Sequence, residues 1–248
     1  MKRIFRFDQV DSTNEAAFRA LEQGKAQDGD AFVATEQTLG RGRRGSRWCS
    51  EPGLGLYASF VLQPAMPWPG PLITITAGLA TRDASTHLGL EHSRLKWPND
   101  LLVGDGKLAG VLVESRAWSA QDPVYVLGIG VNVGQTSFPE ELSAERPVVS
   151  LAQLGLDVGQ AEAQNALFAS LGRRLNQARM APRALACDFL AALEFGPSQV
   201  HVQVAAETIS GRISGLDFDR GLKISTIGGR KRWIPLEHIR SVSNGPPD

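Results

Sequence analysis

Residues 40–45 read Gly-Arg-Gly-Arg-Arg-Gly, the dinucleotide pattern G-x-G-x-x-G letter for letter, yet their surroundings forbid the fold that pattern usually marks. In a Rossmann unit a strand leads in and a helix leads out, so that a pyrophosphate rests on the helix N-terminus. Here the exit is Ser46-Arg47-Trp48-Cys49-Ser50-Glu51-Pro52-Gly53, which holds a helix breaker and leads to another strand-like run. No acidic residue stands about 20 residues on, where a ribose would need one. The doubly wound dinucleotide fold is excluded. What remains is a glycine-flexible loop carrying Arg41, Arg43, Arg44 and Arg47. Guanidinium groups grip phosphates bidentately and glycines let the backbone approach closely. From these residues alone, phosphate binding and a solvated basic surface loop both stay open.

The pattern around the loop is α+β. Short strands are expected over 4–7, 31–35 and 56–62, and a helix behind Ser12-Thr13-Asn14-Glu15, which has capping-box spacing with Ser12 as N-cap and Glu15 reaching back. Pro64, Pro67, Pro69 and Pro71 make the next connection irregular. A helix follows over 72–88, then strands at 95–97, 101–103 and 108–114 around a Gly-Asp-Gly turn, where Asp105-Gly106 signals a hairpin. A continuous apolar run at 124–131 reads as a buried strand. Residues 160–180 and 182–194 read as helices divided at Pro182. Gly196-Pro197-Ser198 then reads as a linker to β-like runs over 199–242, expected to form a small β-barrel. These readings divide the chain at 1–196 and 197–248.

Composition bounds the function. Lys plus Arg and Asp plus Glu number 26 each, so no global basic field marks nucleic acid as the main partner, and DNA is not expected. No stretch approaches a membrane span and no apolar leader follows Met1-Lys2-Arg3. Cys49 and Cys187 have neither disulfide-framework nor metal spacing, and no tightly bound transition metal is expected. A reducing cytoplasm is the expected address.

Five blocks together carry a resemblance: Asp11-Ser12-Thr13-Asn14; Gln37 with residues 40–45 and Trp48; Lys96-Trp97-Pro98-Asn99-Asp100; Lys107-Leu108-Ala109-Gly110-Val111-Leu112-Val113-Glu114; and Gly128-Ile129-Gly130-Val131-Asn132. In that order they resemble the biotin–protein ligase family. The resemblance implies a mixed β-sheet catalytic domain flanked by helices, of class II synthetase-like type, with a C-terminal SH3-like barrel. It implies biotin and MgATP as substrates, biotinyl-5′-adenylate as intermediate, and the biotin carboxyl carrier domain of a carboxylase as acceptor. Members that also repress transcription carry an N-terminal helix-turn-helix. This chain starts almost directly at the catalytic domain and is expected to be monofunctional. Exposed sheet edges leave a homodimer open.

Residue roles follow from the resemblance. Biotin contacts are expected from Ser12, Thr13, Asn14, Gln37, Arg41, Gly42, Arg43, Lys107, Gly110 and Gly130, and nucleotide contacts from Arg43, Trp48, Asn99, Lys107 and Asn132. Adenylation brings a carboxylate and a polyphosphate together, so charge compensation in a dry site is the main catalytic requirement. Lys107, Arg41 and Arg43 are expected to supply it, with Lys107 bridging the biotin carboxylate and the α-phosphate. Asp100 is expected to orient or deprotonate the carrier lysine, or to help place Mg²⁺. Trp48 packs either across the closed pocket or into the core. Gly110, Gly128 and Gly130 point to close approach of ligand to backbone. Two rivals remain: a lipoate or octanoate ligase, and a biotin-sensing protein without turnover.

Overall fold

The computed structural model describes residues 1–64, 68–117, 123–140, 142, 147–196, 198–205, 207–226 and 228–244; the expectations at Pro67 and Pro197 lie outside these. The first sheet has seven strands: β1 (Ile4–Val10), β2 (Ala31–Gln37), β3 (Gly55–Leu62), β4 (Arg94–Lys96), β5 (Asp100–Val103), β6 (Gly106–Ala117) and β7 (Pro123–Asn132). Their spatial order is β1-β2-β3-β7-β6-β5-β4, and β1 with β2 is a parallel pair in an otherwise antiparallel sheet.

Period-2 alternation assigns the strand side chains to two apolar layers. Phe32, Val61, Val124 and Val126 pack against Ala16, Ala17, Phe18 and Leu21 of helix α1 (Thr13–Glu22). Their sequence neighbours Ala31, Val33, Phe60, Leu62, Tyr125 and Leu127 face the opposite layer. There α2 (Gly70–His87) and α3 (Gln160–Met180) pack, with α4 (Pro182–Ala192) joining them. Central β3 is buried at all eight positions, as a strand covered on both faces must be.

The expected capping box does not form. Ser12 occupies the N-cap in extended conformation, but its hydroxyl makes no capping hydrogen bond. Asp11 accepts from the Ser12 backbone N–H at 2.7 Å, and the Glu15 carboxylate turns to Arg41 and Arg116. Two guanidiniums hold a carboxylate more strongly than one neutral N–H does.

Beyond α4 the chain forms a five-stranded antiparallel sheet: β8 (Gln199–Val204), β9 (Glu207–Asp217), β10 (Gly221–Thr226), β11 (Lys231–Ile234) and β12 (Ile239–Ser243), in the order β11-β10-β9-β8-β12. Val200, Val202, Ile209, Leu222, Ile224 and Val242 belong to the same apolar cluster as the main sheet. That continuity brings β12 to the rim of the cavity described next.

Candidate active site

A cavity of about 460 Å³ is walled by the N-terminal end of α1, the Arg/Gly loop, β6, β7 and β12. All fourteen expected site residues line it: Ser12, Thr13, Asn14, Gln37, Arg41, Gly42, Arg43, Trp48, Asn99, Asp100, Lys107, Gly110, Gly130 and Asn132. Among the described lining residues the charges are uneven. Arg41, Arg43, Arg44, Arg47, Lys96, Lys107 and Arg240 face a single carboxylate, Asp100.

One end is neutral and polar. Thr13 and Asn14, buried at the start of α1, meet Ser59, a fully buried hydroxyl on β3. Ser59 Oγ lies 2.7 Å from Thr13 Oγ1 and 2.5 Å from Asn14 Oδ1. Gln37 Oε1 accepts from the Thr13 N–H at 2.8 Å and its hydroxyl at 3.1 Å, while Gln37 Nε2 donates to Ser50 Oγ. Four elements thus meet in one short hydrogen-bonded cluster.

The loop folds as a tight turn rather than an open strap. Gly42 N–H donates to the Ser46 carbonyl at 2.7 Å, Ser46 N–H to that of Arg43, and Trp48 N–H to that of Gly40. Arg44 adopts a positive φ of 55° ahead of Gly45 at 79°. Arg41 is drawn out of the loop into two ion pairs, 2.5 Å to Glu15 and 2.7 Å to Glu114. Burial pushes the Glu15 carboxyl up, but the guanidiniums of Arg41 and Arg116 outweigh it and hold the group below its ordinary range. Arg43 stays in the cavity, with Nη1 at 3.3 Å from Asn99 Oδ1. Desolvation, with Arg44 beside it, lowers the Arg43 guanidinium from its ordinary value against the opposing field of Asp100. A bound anion would relieve that loss.

The glycines on β6 and β7 make room for protein side chains. A Cβ on Gly130 would stand 2.4 Å from Trp48 Cε2, one on Gly110 2.9 Å from Trp48 Cζ3, and one on Gly128 2.5 Å from Asn14 Oδ1. Trp48 therefore lies half-buried against the sheet as part of the cavity wall, not in the core. Beside it, Lys107 pairs with Asp100 across the β5–β6 hairpin. Asn99 Nδ2 donates to the Val111 carbonyl, and Asn132 Nδ2 to the carbonyls of Lys107 and Val149. Both asparagine amides brace the backbone around the cavity. Cys49 is also in the wall; burial, then the field of Glu51, pushes its thiol up against the opposing Arg47.

Sequence reasoning missed several participants. Ser59 sits in an apolar strand and reads there as core. Glu114 closes one of the five blocks, yet nothing local marks its acid as a partner of Asn14 and Arg41. Arg240, Ser241 and Val242 reach the cavity only through tertiary folding, and Arg44 donates to the Arg240 carbonyl at 3.2 Å. Among the described residues no His, Cys, Asp or Glu cluster could hold a metal by itself.

Comparison with known proteins agrees with this geometry. Residues 6–132 match the Biotin/lipoate A/B protein ligase family. The chain is 33% identical over 232 residues to the biotin--[acetyl-CoA-carboxylase] ligase of Mycobacterium tuberculosis, covering 90% of this chain and 82% of that protein. It is 33% identical over 173 residues to the bifunctional ligase/repressor BirA of Escherichia coli, covering 68% of this chain and 51% of that protein. It thus spans about half the length of that bifunctional relative. Among solved structures, the biotin protein ligase from Aquifex aeolicus in complex with biotin and ATP superposes with a TM-score of 0.82 at 28% identity, covering 99% of this chain and 100% of that one. By the extent of the family match and by its relative in M. tuberculosis, the chain belongs to the biotin/lipoate A/B protein ligase family.

Proposed function

We propose that this chain is an ATP-dependent biotin–protein ligase. It joins the biotin carboxylate to the α-phosphate of ATP with release of pyrophosphate. It then passes the biotinyl group from the adenylate to a lysine ε-amine of a biotin carboxyl carrier domain, releasing AMP. The observation that carries this reading is the polarity of this cavity: a neutral hydrogen-bonding cluster at one end, and seven cations with one carboxylate elsewhere along its walls. The cluster suits the cyclic urea of biotin, and the cations suit a carboxylate meeting a polyphosphate. The M. tuberculosis relative bears the corresponding name, and the similar A. aeolicus structure holds biotin and ATP.

In this reading Thr13, Asn14 and Gln37 hold the head group, braced by the buried Ser59, with Ser12 beside them. Gly42, Gly110 and Gly130 shape the wall. Lys107 bridges the two reacting anions, held in place by Asp100, and Arg43 neutralises the polyphosphate. Arg41 acts from outside the reacting centre by fastening the loop to Glu15 and Glu114. Trp48, Asn99 and Asn132 form the nucleotide side. Asp100, the cavity's lone carboxylate, fits the modest protein share that Mg²⁺ takes when phosphates supply its other ligands. Magnesium would add charge compensation at the phosphates. Asp100 would also orient or accept a proton from the incoming lysine. The reading places the enzyme in the cytoplasm; among the described residues no helix is long and apolar enough to cross a membrane.

The test is exchange of labelled pyrophosphate into ATP. Biotin-dependent exchange is expected. Exchange only with lipoate or octanoate would move the substrate, and biotin binding without exchange would make the chain a sensor.

A further inference from the structure

Glu114 stands where the two halves of the cavity wall meet. Its Oε2 accepts from Asn14 Nδ2 at 2.7 Å and from Arg41 Nη2 at 2.7 Å. The first contact fixes which way round the Asn14 amide lies. With Nδ2 turned to a carboxylate, Oδ1 must face Ser59, 2.5 Å away. A reversed amide would set an oxygen against an oxygen at Glu114, so the flip is forbidden.

That orientation leaves the head-group cluster short of protons. Three side-chain contacts run along it: Thr13 Oγ1 to Gln37 Oε1, Ser59 Oγ to Thr13 Oγ1, and Ser59 Oγ to Asn14 Oδ1. Each hydroxyl brings one proton, so two protons serve three contacts. Were the Asn14 amide reversed, its Nδ2 would donate to Ser59 and every contact would be filled. With the amide as Glu114 holds it, one of the three contacts carries no proton, while Gln37 Oε1 keeps the Thr13 N–H, so the cluster retains an open acceptor site that an N–H from outside would fill.

We infer that Glu114 is a specificity-determining positioning residue: by locking the Asn14 amide it makes the head-group site acceptor-rich and selects a ligand that presents N–H donors. The inference rests on the ligase reading above and sharpens its substrate class. A cyclic urea carries two N–H groups. A dithiolane or a plain acyl chain carries none, and leaves the deficit unfilled. A site built to pair a polar group rejects an analogue lacking it far better than a merely apolar pocket can. Glu114 touches no reacting atom in this account; it acts through Asn14.

The experiment is steady-state pyrophosphate exchange with biotin and with lipoate, on wild type, Glu114→Gln, Asn14→Ala and the double variant. A glutamine can offer its own N–H to Asn14 and so permits the flip. Glu114→Gln is expected to raise the KM for biotin about tenfold or more, the loss of one charge-assisted hydrogen bond. The KM for ATP should change little, and the preference for biotin over lipoate should shrink. In the Asn14→Ala background the same substitution should change the biotin KM by less than about twofold, since Glu15 and the glutamine oxygen still hold Arg41. An unchanged biotin KM in Glu114→Gln, or an equal effect with and without Asn14, would overturn the inference. If Glu114→Gln does not fold, Glu114→Asp serves instead, because its shorter side chain draws the carboxylate away from Asn14 and frees the amide to turn. Wild-type biotin affinity in that variant, measured by calorimetry, would also overturn it. Absence of biotin-dependent exchange in the wild type refutes the ligase reading itself and this inference with it; normal wild-type exchange with an indifferent Glu114→Gln refutes this inference alone.

Discussion

Lys107 Nζ lies 2.8 Å from Asp100 Oδ1 and 5.3 Å from the centre of the Trp48 ring, so one ammonium is held between the cavity's lone carboxylate and an aromatic wall. The pair separates the two half-reactions. Lys107→Ala removes the cation that meets both reacting anions, and biotin-dependent pyrophosphate exchange is expected to fall by about 100-fold or more. Asp100→Asn keeps a hydrogen-bonding partner for Lys107 and a neutral oxygen toward Mg²⁺, so it should slow exchange much less than it slows transfer to the carrier lysine. Single-turnover measurement of each step checks this; equal losses in both steps from Asp100→Asn would remove its assignment to the transfer step.

Much of this arrangement is legible before folding. Short apolar runs at residues 31–35, 56–62 and 124–131 announce the strands, and the five blocks bring together residues up to 120 apart, from Ser12 to Asn132, at one cavity. What stays hidden is partnership. Glu15 reads as a capping acid because a sequence displays only its neighbours; its partners, Arg41 and Arg116, are 26 and 101 residues away. Arg41 reads only as one cation of an anion-gripping loop for the same reason, since the acids Glu15 and Glu114 that pair with it lie on α1 and β6. The buried hydroxyl of Ser59 carries no local signal at all.

Arg174 shows how the helical layer is fastened. Its guanidinium donates to Asp83 of α2 at 2.6 Å and to Asp188 of α4 at 2.5 Å from its own place on α3, and its side chain is only 16% exposed. Arg174→Ala would remove the cation from Asp83 and leave Asp188 with the Gln177 amide. The expected loss is about 2–4 kcal/mol of unfolding free energy, read by urea denaturation. Because these residues stand apart from the cavity lining, the biotin KM should stay as in wild type.

Acid should destabilise the fold through carboxylates held below their ordinary range. The Asp30 side chain is fully buried: burial pushes it up, but hydrogen bonds from Arg3 and the Gln27 N–H reverse the sign and hold it low. Arg19 lowers Asp11, and Arg41 with Arg116 lowers Glu15. A carboxylate with a depressed folded-state pKa stabilises above its unfolded value and loses that contribution as pH falls toward the folded one. Stability should therefore hold near neutrality and begin to drop below about pH 4. Thermal midpoints taken down the pH scale should show a shallower drop in Asp30→Asn, which starts lower but has less to lose. A parallel curve would show that Asp30 does not contribute.

Gly128 and Gly130 offer the finest division of the site, since they lie two residues apart on β7 and face the same way. A Cβ on Gly128 would meet Asn14 Oδ1 at 2.5 Å, at the neutral end of the cavity. A Cβ on Gly130 would meet the Trp48 ring at 2.4 Å, at the loop end. Neither neighbour is free to yield: Asn14 is held by Ser59 and Glu114, and Trp48 rests on Gly110 as well. Each alanine should cost about 1–3 kcal/mol in stability, the usual scale of overpacking. Their kinetic effects should diverge. Gly128→Ala displaces the head-group cluster and is expected to raise the biotin KM with little change for ATP. Gly130→Ala displaces Trp48 and with it the loop that carries Arg43, so the ATP KM should rise more than that of biotin. It should also shift tryptophan emission to the red as the ring leaves the wall. Equal effects of the two alanines on both substrates would show that the cavity responds as one unit, and that its two ends are not separately built.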